Sequence, residues 1–390
     1  NGKESLYSTA NSLGLQPKTA RDAIEQEMQD WQDLGVEGHF HGKNPWFHYH
    51  KFLTEGAAYI VGAKPLEVAV MNNLTVNLHF MMVSFYQPLE GRYKILMEGG
   101  AFPSDMYAME SQVNFHGYDY DDAVIEIHPR EGENSLRTED ILKTIEAHKD
   151  ELALVMFSGV QYYTGQVFNI EKICAKAHEV GAFCGFDLAH AAGNIQLHLH
   201  DWDVDFAVWC SYKYLNSGPG GVSGVFVHER FANNPELPRF AGWWGHKESE
   251  RFQMRRGYIP EPGAAGWQLS NAPILSMSVH KASLEIFQKA GMEKLVRKGQ
   301  NLNAFLELVF IEAAMNNSSL SFDIITPDER GCQLSVLTGK NGRALFDFLT
   351  KQGVIVDWRE PNVIRLAPVP LYNSFMDIYA FGKLLKEFKI

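Results

Sequence analysis

Cysteine is scarce in this 390-residue chain, which contains only four. Cys174, Cys184, Cys210 and Cys332 are far apart in the sequence, and no two of them form a Cys-x-x-Cys pair. A disulfide framework and a paired-cysteine zinc site are therefore excluded as organising features. Sparse thiols of this kind are typical of a reducing compartment, and we expect a cytoplasmic protein.

Positive charge and long apolar runs are also lacking. The 35 lysines and arginines are outnumbered by 47 aspartates and glutamates, giving a formal net charge of -12, so the basic excess that nucleic acid binding needs is absent. The longest apolar segment, residues 74–86, is interrupted by Asn77 and His79 and is too short to cross a bilayer. We therefore expect neither a nucleic acid nor a membrane partner.

Short apolar runs alternate with helical patterns between residues 94 and 228. This βαβα order predicts a mainly parallel sheet covered by helices on both faces, and in such sheets ligands bind beyond the carboxyl ends of the strands. The predicted strands are residues 93–97, 123–127, 152–157, 182–186, 206–209 and 224–227, with predicted helices at 138–148 and 169–180.

The rest of the chain predicts a second, smaller domain. Residues 231–273, rich in Gly, Pro, Trp and Arg, indicate a long active-site loop or an oligomer contact. A helical run follows at 274–314, and then a small α+β region with strands near 332–337 and 363–367. We expect an α/β fold with an N-terminal segment at 1–45, a large domain at 46–274 and a small domain at 275–390.

A lysine and an aspartate stand where this fold would bind a ligand. Lys213 follows the strand at 206–209 and precedes a glycine cluster, and Asp187 follows the strand at 182–186. An aspartate that keeps a pyridine nitrogen protonated, together with a lysine that forms a Schiff base, is the minimal arrangement for pyridoxal phosphate (PLP). Taken singly, Lys213 also fits a solvated turn, Asp187 a helix cap and His190 a buried histidine.

Two turns could complete a site for a phosphorylated ring. Residues 69–75 lead into a helical pattern at 76–86, and helix N-termini bind anions through free amides, to which Thr75 would add a hydroxyl. Phe102, in the turn at 99–105, could stack on a flat ring. Helix capping by Asn73 and Thr75, and a buried core position for Phe102, are the alternatives.

The motifs around these residues resemble the kynureninase family, whose members are fold-type I PLP enzymes of the class V aminotransferase group. The resemblance extends from NSLGLQP at 11–17 to YNSF at 372–375, although only ten residues precede the first motif, where the family normally has some tens. The motifs that carry it are FPSD at 102–105, FSGV at 157–160, YTGQ at 163–166, GFDLAH at 185–190, WCSYKYLN at 209–216 and IRLAPVPLY at 364–372.

The resemblance implies that PLP is the cofactor. It implies a Schiff base on Lys213, Asp187 paired with the ring nitrogen and Phe102 stacked on the ring. It further implies a homodimer with active sites at the subunit interface, because part of the cofactor shell comes from the partner. That shell comprises Leu74, Thr75, Ser104, Asp105, Ser158, His190 and Tyr212, with Trp243 and Asn271 reaching in from the partner.

The resemblance also implies a reaction, the hydrolytic Cβ–Cγ cleavage of L-kynurenine or 3-hydroxy-L-kynurenine. The products are anthranilate or 3-hydroxyanthranilate and L-alanine, in tryptophan degradation. Lys213 would be the base at Cα, Tyr163 would take part in proton transfer and Arg365 would bind the α-carboxylate, a task that suits a guanidinium fork. The implied aryl pocket consists of His39, Trp243, Phe252, Ser270 and Asn271.

The same pocket bears on substrate preference. A histidine with an asparagine there, His39 and Asn271, resembles the members that prefer 3-hydroxykynurenine. A phenolic hydroxyl needs a hydrogen-bond partner once it is desolvated. We therefore expect 3-hydroxykynurenine to be the better substrate and L-kynurenine to be accepted.

A metal site is one rival interpretation. His39, His41, His48 and His50 lie close together in the sequence, and imidazole is a common zinc or nickel ligand. No carboxylate or cysteine joins the four, so we expect no metal.

A second rival stays on the same fold. Cys332 could serve as the nucleophile of a cysteine desulfurase or selenocysteine lyase, although it begins an alternating apolar stretch that is typical of a buried strand. A PLP-fold scaffold without activity is disfavoured because Lys213, Asp187 and Arg365 are all present.

Overall fold

The computed structural model describes residues 5–234 and 236–389, and the statements below concern those residues. The first four residues of the N-terminal segment lie outside them. The α-helices are α1 (Ala20–Leu34), α2 (Gly38–His41), α3 (Lys51–Val61), α4 (Leu74–Phe85), α5 (Pro103–Phe115), α6 (Tyr120–Ala123), α7 (Thr138–Ala147), α8 (Ile170–Glu179), α9 (Ile274–Ala290), α10 (Met292–Asn316), α11 (Gly342–Lys351) and α12 (Phe375–Glu387).

The strands form three sheets. Their bounds are β1 (Leu6–Tyr7), β2 (Val68–Val70), β3 (Lys94–Glu98), β4 (Val124–Ile127), β5 (Leu152–Ser158), β6 (Phe183–Asp187), β7 (Phe206–Trp209), β8 (Gly224–Val227), β9 (Phe322–Ile324), β10 (Leu334–Thr338), β11 (Val354–Ile355), β12 (Asp357–Arg359) and β13 (Val363–Leu366).

The largest sheet has seven strands in the order β2-β8-β7-β6-β5-β3-β4. Strands β4, β3, β5, β6 and β7 run parallel to one another, whereas β8 is antiparallel to both β7 and β2. The parallel strands therefore end at one edge of the sheet, which is the edge where α/β folds bind ligands.

Both faces of this sheet are covered. Successive side chains of a strand point to opposite faces, and in β5 Val155 and Phe157 belong to one buried cluster while Leu154 and Met156 belong to another. Gly185 in β6 shows how closely the core is packed, because a Cβ there would lie 2.1 Å from the ring of Phe206. The near-continuous apolar strands of the sequence reflect this two-sided burial.

A four-stranded antiparallel sheet, in the order β12-β13-β10-β9, forms the centre of the C-terminal part. It packs with α10, α11 and α12 around a separate apolar cluster. The N-terminal segment joins this part, since β1 pairs in parallel with β11. The segment then reaches the large sheet, because the Gly14 amide donates to the Tyr212 carbonyl at 2.8 Å.

The predicted α/β class and mainly parallel sheet are confirmed, and the strands expected at 206–209 and 224–227 have those bounds. The expectation of one helical run at 274–314 was wrong. Gly291, with φ 85°, separates α9 from α10, since this conformation is unfavourable for other residues and ends a helix. None of the helices within the described residues is long and apolar enough to span a bilayer.

Candidate active site

Four polar side chains meet at the carboxyl edge of the parallel strands. Glu98, Ser158 and Asp187 are the last residues of β3, β5 and β6, and Lys213 lies in the turn after β7. All four line one cavity, because parallel neighbours end side by side and Ser158 is in register with Asp187. The cavity is completed by Phe102, Asp105, Val160, Tyr162, Ala189 and His190.

Asp187 and Asp105 form a buried carboxyl pair in this cavity. Burial raises the pKa of Asp187, while the Ala189 amide, which donates to its Oδ1 at 2.6 Å, opposes that rise. Burial, and then the charge of Asp187, raises the pKa of Asp105 well above its ordinary value. Two carboxyl groups in hydrogen-bond contact retain a proton between them, so the pair can hold a proton at this edge of the sheet.

Glu98 is a third buried carboxyl group beside this pair. It accepts hydrogen bonds from the Ser158 amide at 3.1 Å and from the Ser158 hydroxyl at 2.5 Å. Burial raises its pKa to about 7, against the opposing effect of the Ser158 hydrogen bonds. Glu98 therefore keeps a proton over much of the range in which an aspartate or glutamate in water is ionised.

Lys213 lines the same cavity, and its charge opposes the rise in the pKa of Asp105 and of Asp187. Its Nζ lies 5.6 Å from the centre of the Phe102 ring, and Phe102 contacts Tyr162 edge-on at 5.2 Å. The turn that carries Lys213 is pressed against Gly14, where a Cβ would lie 2.4 Å from the Lys213 carbonyl oxygen. Only glycine fits at that position, so the NSLGLQP motif packs directly against the turn that carries Lys213.

His190 and Tyr212 lie next to Lys213 but differ in burial. His190 is buried, its Nδ1 has no hydrogen-bond partner, and burial lowers its pKa well below the ordinary value, so the ring is neutral. Tyr212 is half-buried, and burial raises the pKa of its phenol. Both present polar atoms beside the cavity without adding charge.

Two helix N-termini meet close to the cavity, which is lined by Phe102 and Asp105 at the start of α5. Leu74 and Thr75 open α4, and Ser104 lies in the first turn of α5. The hydroxyls of Thr75 and Ser104 are 2.8 Å apart, so the two free helix ends face the same space. Unpaired amides, two helix dipoles and two hydroxyls make this a suitable place for a phosphate group.

These features fit PLP. A protonated ring nitrogen would offset the buried negative charge of Asp187, and a phosphate would occupy the space between α4 and α5. The exposed face of Phe102, 40% accessible, is free to stack on a ring. The unpartnered Nδ1 of His190 and Oδ1 of Asp105 are polar atoms that such a ligand could satisfy.

Arg365 lies at the side of the small sheet, fully buried. Its Nη1 donates to the Tyr162 carbonyl at 2.5 Å, its Nη2 pairs with Asp357, and its Nε has no partner. Burial lowers the pKa of its guanidinium, which nevertheless stays charged. Because Tyr162 lines the cofactor cavity, the hydrogen bond to its carbonyl places Arg365 at the edge of the site.

Other residues of the predicted site lie elsewhere in this chain. Tyr163 lines a neighbouring cavity of about 280 Å³, which it shares with Glu98 and Tyr162. Ser270 and Asn271 line another cavity, of about 330 Å³, whose walls do not include Lys213. The structure therefore brings only some of the predicted residues together in one cavity, namely Phe102, Asp105, Ser158, Asp187, His190 and Lys213. Leu74, Thr75, Ser104 and Tyr212 are not among its lining residues, and Asn271 does not reach Lys213 within one chain.

Three residues of the predicted aryl pocket belong to one aromatic group. Trp243 contacts Phe252 edge-on at 5.4 Å, and Phe252 stacks on Phe47 at 5.6 Å. His39 joins the group through Phe40, and its Nδ1 bonds the Val36 carbonyl at 3.0 Å. This group is also separate from Lys213 in the single chain.

The four histidines of the metal hypothesis do not converge. His41 pairs with Glu37 at 3.5 Å, His48 lies 3.6 Å from Glu248, and His50 is buried against Trp244. Side chains of the metal-ligating kind meet instead at Glu67, His200 and His228. Each of the three side chains already takes part in a hydrogen bond, since His200 Nδ1 bonds Glu67 at 2.9 Å and the Arg230 amide donates to His228 Nδ1.

Cys332 does not have the features of a nucleophile. Its side chain is buried beside Tyr214 and Ala367, and burial raises the pKa of its thiol to about 12. A thiol of this kind stays protonated and out of contact with substrate.

Sequence reasoning missed two polar residues that line the cavity, Glu98 and Tyr162, and also Asp357 and Arg359 of β12, which lie beside Arg365. Glu98 could have been found by the rule that identified Asp187, because it also ends a parallel strand. Asp357 and Arg359 could be found only by knowing that β12 pairs with β13 and in which register. The hydrophobic pattern of a single sequence provides neither.

Comparison with known proteins gives one family match and several similar sequences. Residues 296–385 match the family model for the kynureninase C-terminal domain. The kynureninase of Flavobacterium psychrophilum is 58% identical over 99% of this chain and 91% of its own length. The kynureninase of Flavobacterium johnsoniae is 57% identical over 99% of this chain and 92% of its own length. The kynureninase of Nematostella vectensis is 51% identical over 98% of this chain and 84% of its own length.

Solved structures share the fold at low sequence identity. A cysteine desulfurase from Thermococcus onnurineus NA1, solved without ligand, has a TM-score of 0.79 at 17% identity, covering 98% of this chain and 94% of that one. A C-DES mutant with glycine covalently linked to its PLP cofactor has a TM-score of 0.81 at 16% identity, covering 99% and 97%. These likenesses concern the fold alone.

Proposed function

The chain belongs to the kynureninase family, and from that membership we propose that it hydrolyses the Cβ–Cγ bond of L-kynurenine or 3-hydroxy-L-kynurenine. The enzyme uses PLP, and the products are an anthranilate and L-alanine. The observation that carries the proposal is the cavity at the carboxyl edge, where Lys213 faces Asp187 and a paired helix start can hold a phosphate.

We propose distinct tasks for the residues of this cavity. Lys213, Asp187, Phe102 and His190 would hold the ring, and Leu74, Thr75, Ser104, Asp105, Ser158 and Tyr212 would complete the shell. When bound, PLP supplies an electron sink for the electrons released at the substrate Cα. The Lys213 amine then moves the Cα proton, and Asp187 keeps a proton on the ring nitrogen.

Hydrolysis also requires a fixed substrate and a water molecule. Arg365 would bind the α-carboxylate, while water adds hydroxide to the γ-carbonyl carbon and Cβ gains a proton as the Cβ–Cγ bond breaks. Tyr163 would donate or accept the proton in this step. Its phenol lines the neighbouring cavity and would have to move toward the substrate to do so. Each turnover consumes one water molecule and forms one anthranilate and one alanine.

We propose that the active site is completed by a second copy of the chain. Trp243 and Asn271 lie apart from Lys213, and apolar side chains around the aromatic group are exposed, among them Phe40, Phe252 and Met254. Exposed apolar surface of this extent is typical of a protein interface. A homodimer would cover this surface and bring His39, Trp243, Phe252, Ser270 and Asn271 to the partner's substrate.

The proposed preference for 3-hydroxykynurenine rests on His39 and Asn271 in that pocket. We also propose a cytoplasmic location, since all four cysteines are unpaired and buried. The test of function is kcat/KM of the PLP-loaded protein for both substrates, followed by anthranilate release. Turnover of either substrate supports the hydrolase, a higher value for L-kynurenine contradicts the preference, and turnover of neither would refute the proposed function.

A desulfurase function has no support beyond the fold likeness, and a variant tests this point. We expect Cys332→Ala to keep kcat/KM for the kynurenines within about threefold, because the buried thiol touches neither the cofactor cavity nor its charges. The parallel assay is sulfide release from L-cysteine by the wild-type protein. Sulfide release that Cys332→Ala abolishes would restore the alternative.

A further inference from the structure

Asp357, Arg359 and Arg365 project from one face of the small sheet. Residues two apart on a strand share a face, so Asp357 and Arg359 lie side by side on β12. Arg365 on β13 is directly opposite Asp357 in the antiparallel register. The strand pairing therefore places two guanidinium groups on either side of one carboxylate.

The hydrogen bonds of this group leave two donors unused. Both arginines pair with the same oxygen of Asp357 through Nη2, Arg359 at 3.3 Å. The Asp357 carboxylate also accepts from the Ser12 hydroxyl at 3.3 Å. The Nε atoms of Arg359 and Arg365 are both buried and have no partner.

The charges of the group do not balance. Two guanidinium cations face one carboxylate, which leaves one positive charge in excess beside the cofactor cavity. Burial, followed by the charges of Lys213, Arg365 and Arg359, lowers the pKa of His190, a wall residue of that cavity. The Arg365 side chain is buried and that of Arg359 is 37% exposed, so part of this excess charge is buried, and the unused Nε donors could be satisfied by an anion.

We propose that Arg359 is a second arginine of the substrate carboxylate site, and that Asp357 is the fixed counter-charge that holds both arginines in place. This inference rests on the proposed function, in which Arg365 binds the α-carboxylate. The single carboxylate of a kynurenine matches the single excess charge. The phosphate site between α4 and α5 has its own donors, so the cofactor does not need these arginines.

Arg359→Gln and Arg359→Lys test the role, with Arg343→Gln as the matched control. Arg343 is an exposed arginine of the same domain that pairs with Asp347 and lies over the rings of Phe346 and Trp358. Two ligands separate carboxylate binding from other effects. L-kynurenine carries the α-carboxylate, and its decarboxylated analogue kynuramine, used as a competitive inhibitor, does not.

We expect Arg359→Gln to raise KM for L-kynurenine about tenfold and to leave kcat within about twofold of the wild-type value. The rise in KM corresponds to the loss of one charge-assisted hydrogen bond to the carboxylate. The inhibition constant of kynuramine and the affinity for PLP should stay unchanged. Arg359→Lys, which keeps the charge without the fork, should fall between Arg359→Gln and the wild type, and Arg343→Gln should match the wild type.

Three results would overturn the inference. The first is an unchanged KM in Arg359→Gln, and the second is a parallel rise of KM and of the kynuramine inhibition constant, which would indicate a distorted cavity. The third is a loss of PLP affinity that accounts for the rise in KM. A wild-type protein that does not turn over kynurenine would refute the proposed function itself, whereas normal wild-type turnover with any of the three results refutes only the role of Arg359.

Discussion

At the scale of single residues, the cofactor cavity is dominated by Glu98, Asp105 and Asp187, three carboxyl groups with raised pKa values around one lysine. Burial is the first cause of all three shifts. Burial favours the uncharged form of each carboxyl group, so the negative charge of Asp187 is stabilised best when a cation such as a protonated ring nitrogen lies beside it. Asp187 was predictable because it directly follows an apolar strand, as does Lys213.

Removing Asp187 tests its proposed role. We expect Asp187→Ala to lower kcat on the order of a thousandfold or more while the protein still binds PLP, because the ring nitrogen loses the carboxylate that keeps it protonated. The measurement is steady-state turnover of both kynurenines together with the absorbance of bound PLP. Asp201→Ala, at an exposed aspartate, is the control, and a near-normal kcat in Asp187→Ala would contradict the role.

Glu98 makes folding stability depend on pH. Its pKa is raised from 4.5 to about 7, so between these values the folded state keeps a proton that the unfolded state releases. The free energy of unfolding should therefore fall as pH rises through that window.

The side chain in Glu98→Gln resembles the protonated acid and does not titrate. We therefore expect the decrease in the free energy of unfolding with rising pH to be about 2 to 3 kcal/mol smaller in this variant than in the wild type. Urea unfolding at several pH values, on protein from which PLP has been removed, measures it. Glu90→Gln, at an exposed glutamate, should keep the full dependence. An identical pH profile for Glu98→Gln and wild type would show that folding does not raise the pKa of Glu98.

At the scale of elements, the strand ends and helix starts create the site, and these were the best predicted parts. Six strands were anticipated to within one residue at each end, because strands buried on both faces are apolar throughout. The antiparallel direction of β8 was not anticipated, because the direction of a strand depends on the path of the chain. The short strands β9 and β12 were not anticipated either, because a strand of three residues is too short to show a clear apolar pattern. The end of α9 at Gly291 was missed although glycine after a helix is a known stop signal.

The paired starts of α4 and α5 lead to a test of cofactor affinity. We expect Thr75→Val to raise the dissociation constant of PLP about tenfold, because a hydroxyl facing the proposed phosphate is lost. Titration of cofactor-free protein by absorbance measures it. Thr350→Val, in the exposed part of α11, serves as the control, and unchanged affinity in Thr75→Val would place the phosphate elsewhere.

At the scale of the whole molecule, one chain holds an incomplete set of the predicted site residues. Lys213 and Asp187 share a cavity, whereas Asn271 and Trp243 line others. The family motifs predicted this division through the implied homodimer. Composition and periodicity could not, because they describe one chain and carry no information about which surface meets a partner.

Mixing two inactive variants tests whether each active site takes residues from both subunits. We expect Lys213→Ala and Asn271→Ala to be inactive or strongly impaired alone, and their mixture to recover about a quarter of wild-type activity. Half of randomly mixed dimers are hybrids, and each hybrid has one intact site. The assay is kynurenine turnover after exchange of subunits, with sedimentation to determine the oligomer. No recovery in a mixture that forms hybrids would place Asn271 in the same chain's site.

The pairing of β1 with β11 has a consequence for how the protein is made. Leu6 meets Val354, about 350 positions later in the chain. A ribosome that adds roughly 5 to 20 residues per second needs about 20 to 70 seconds to cover that distance. During that time the amino-terminal strand has no partner, and Arg365, which follows in β13, has not yet been made. A nascent chain can therefore form its large sheet early, but its active site is finished only when synthesis is nearly complete.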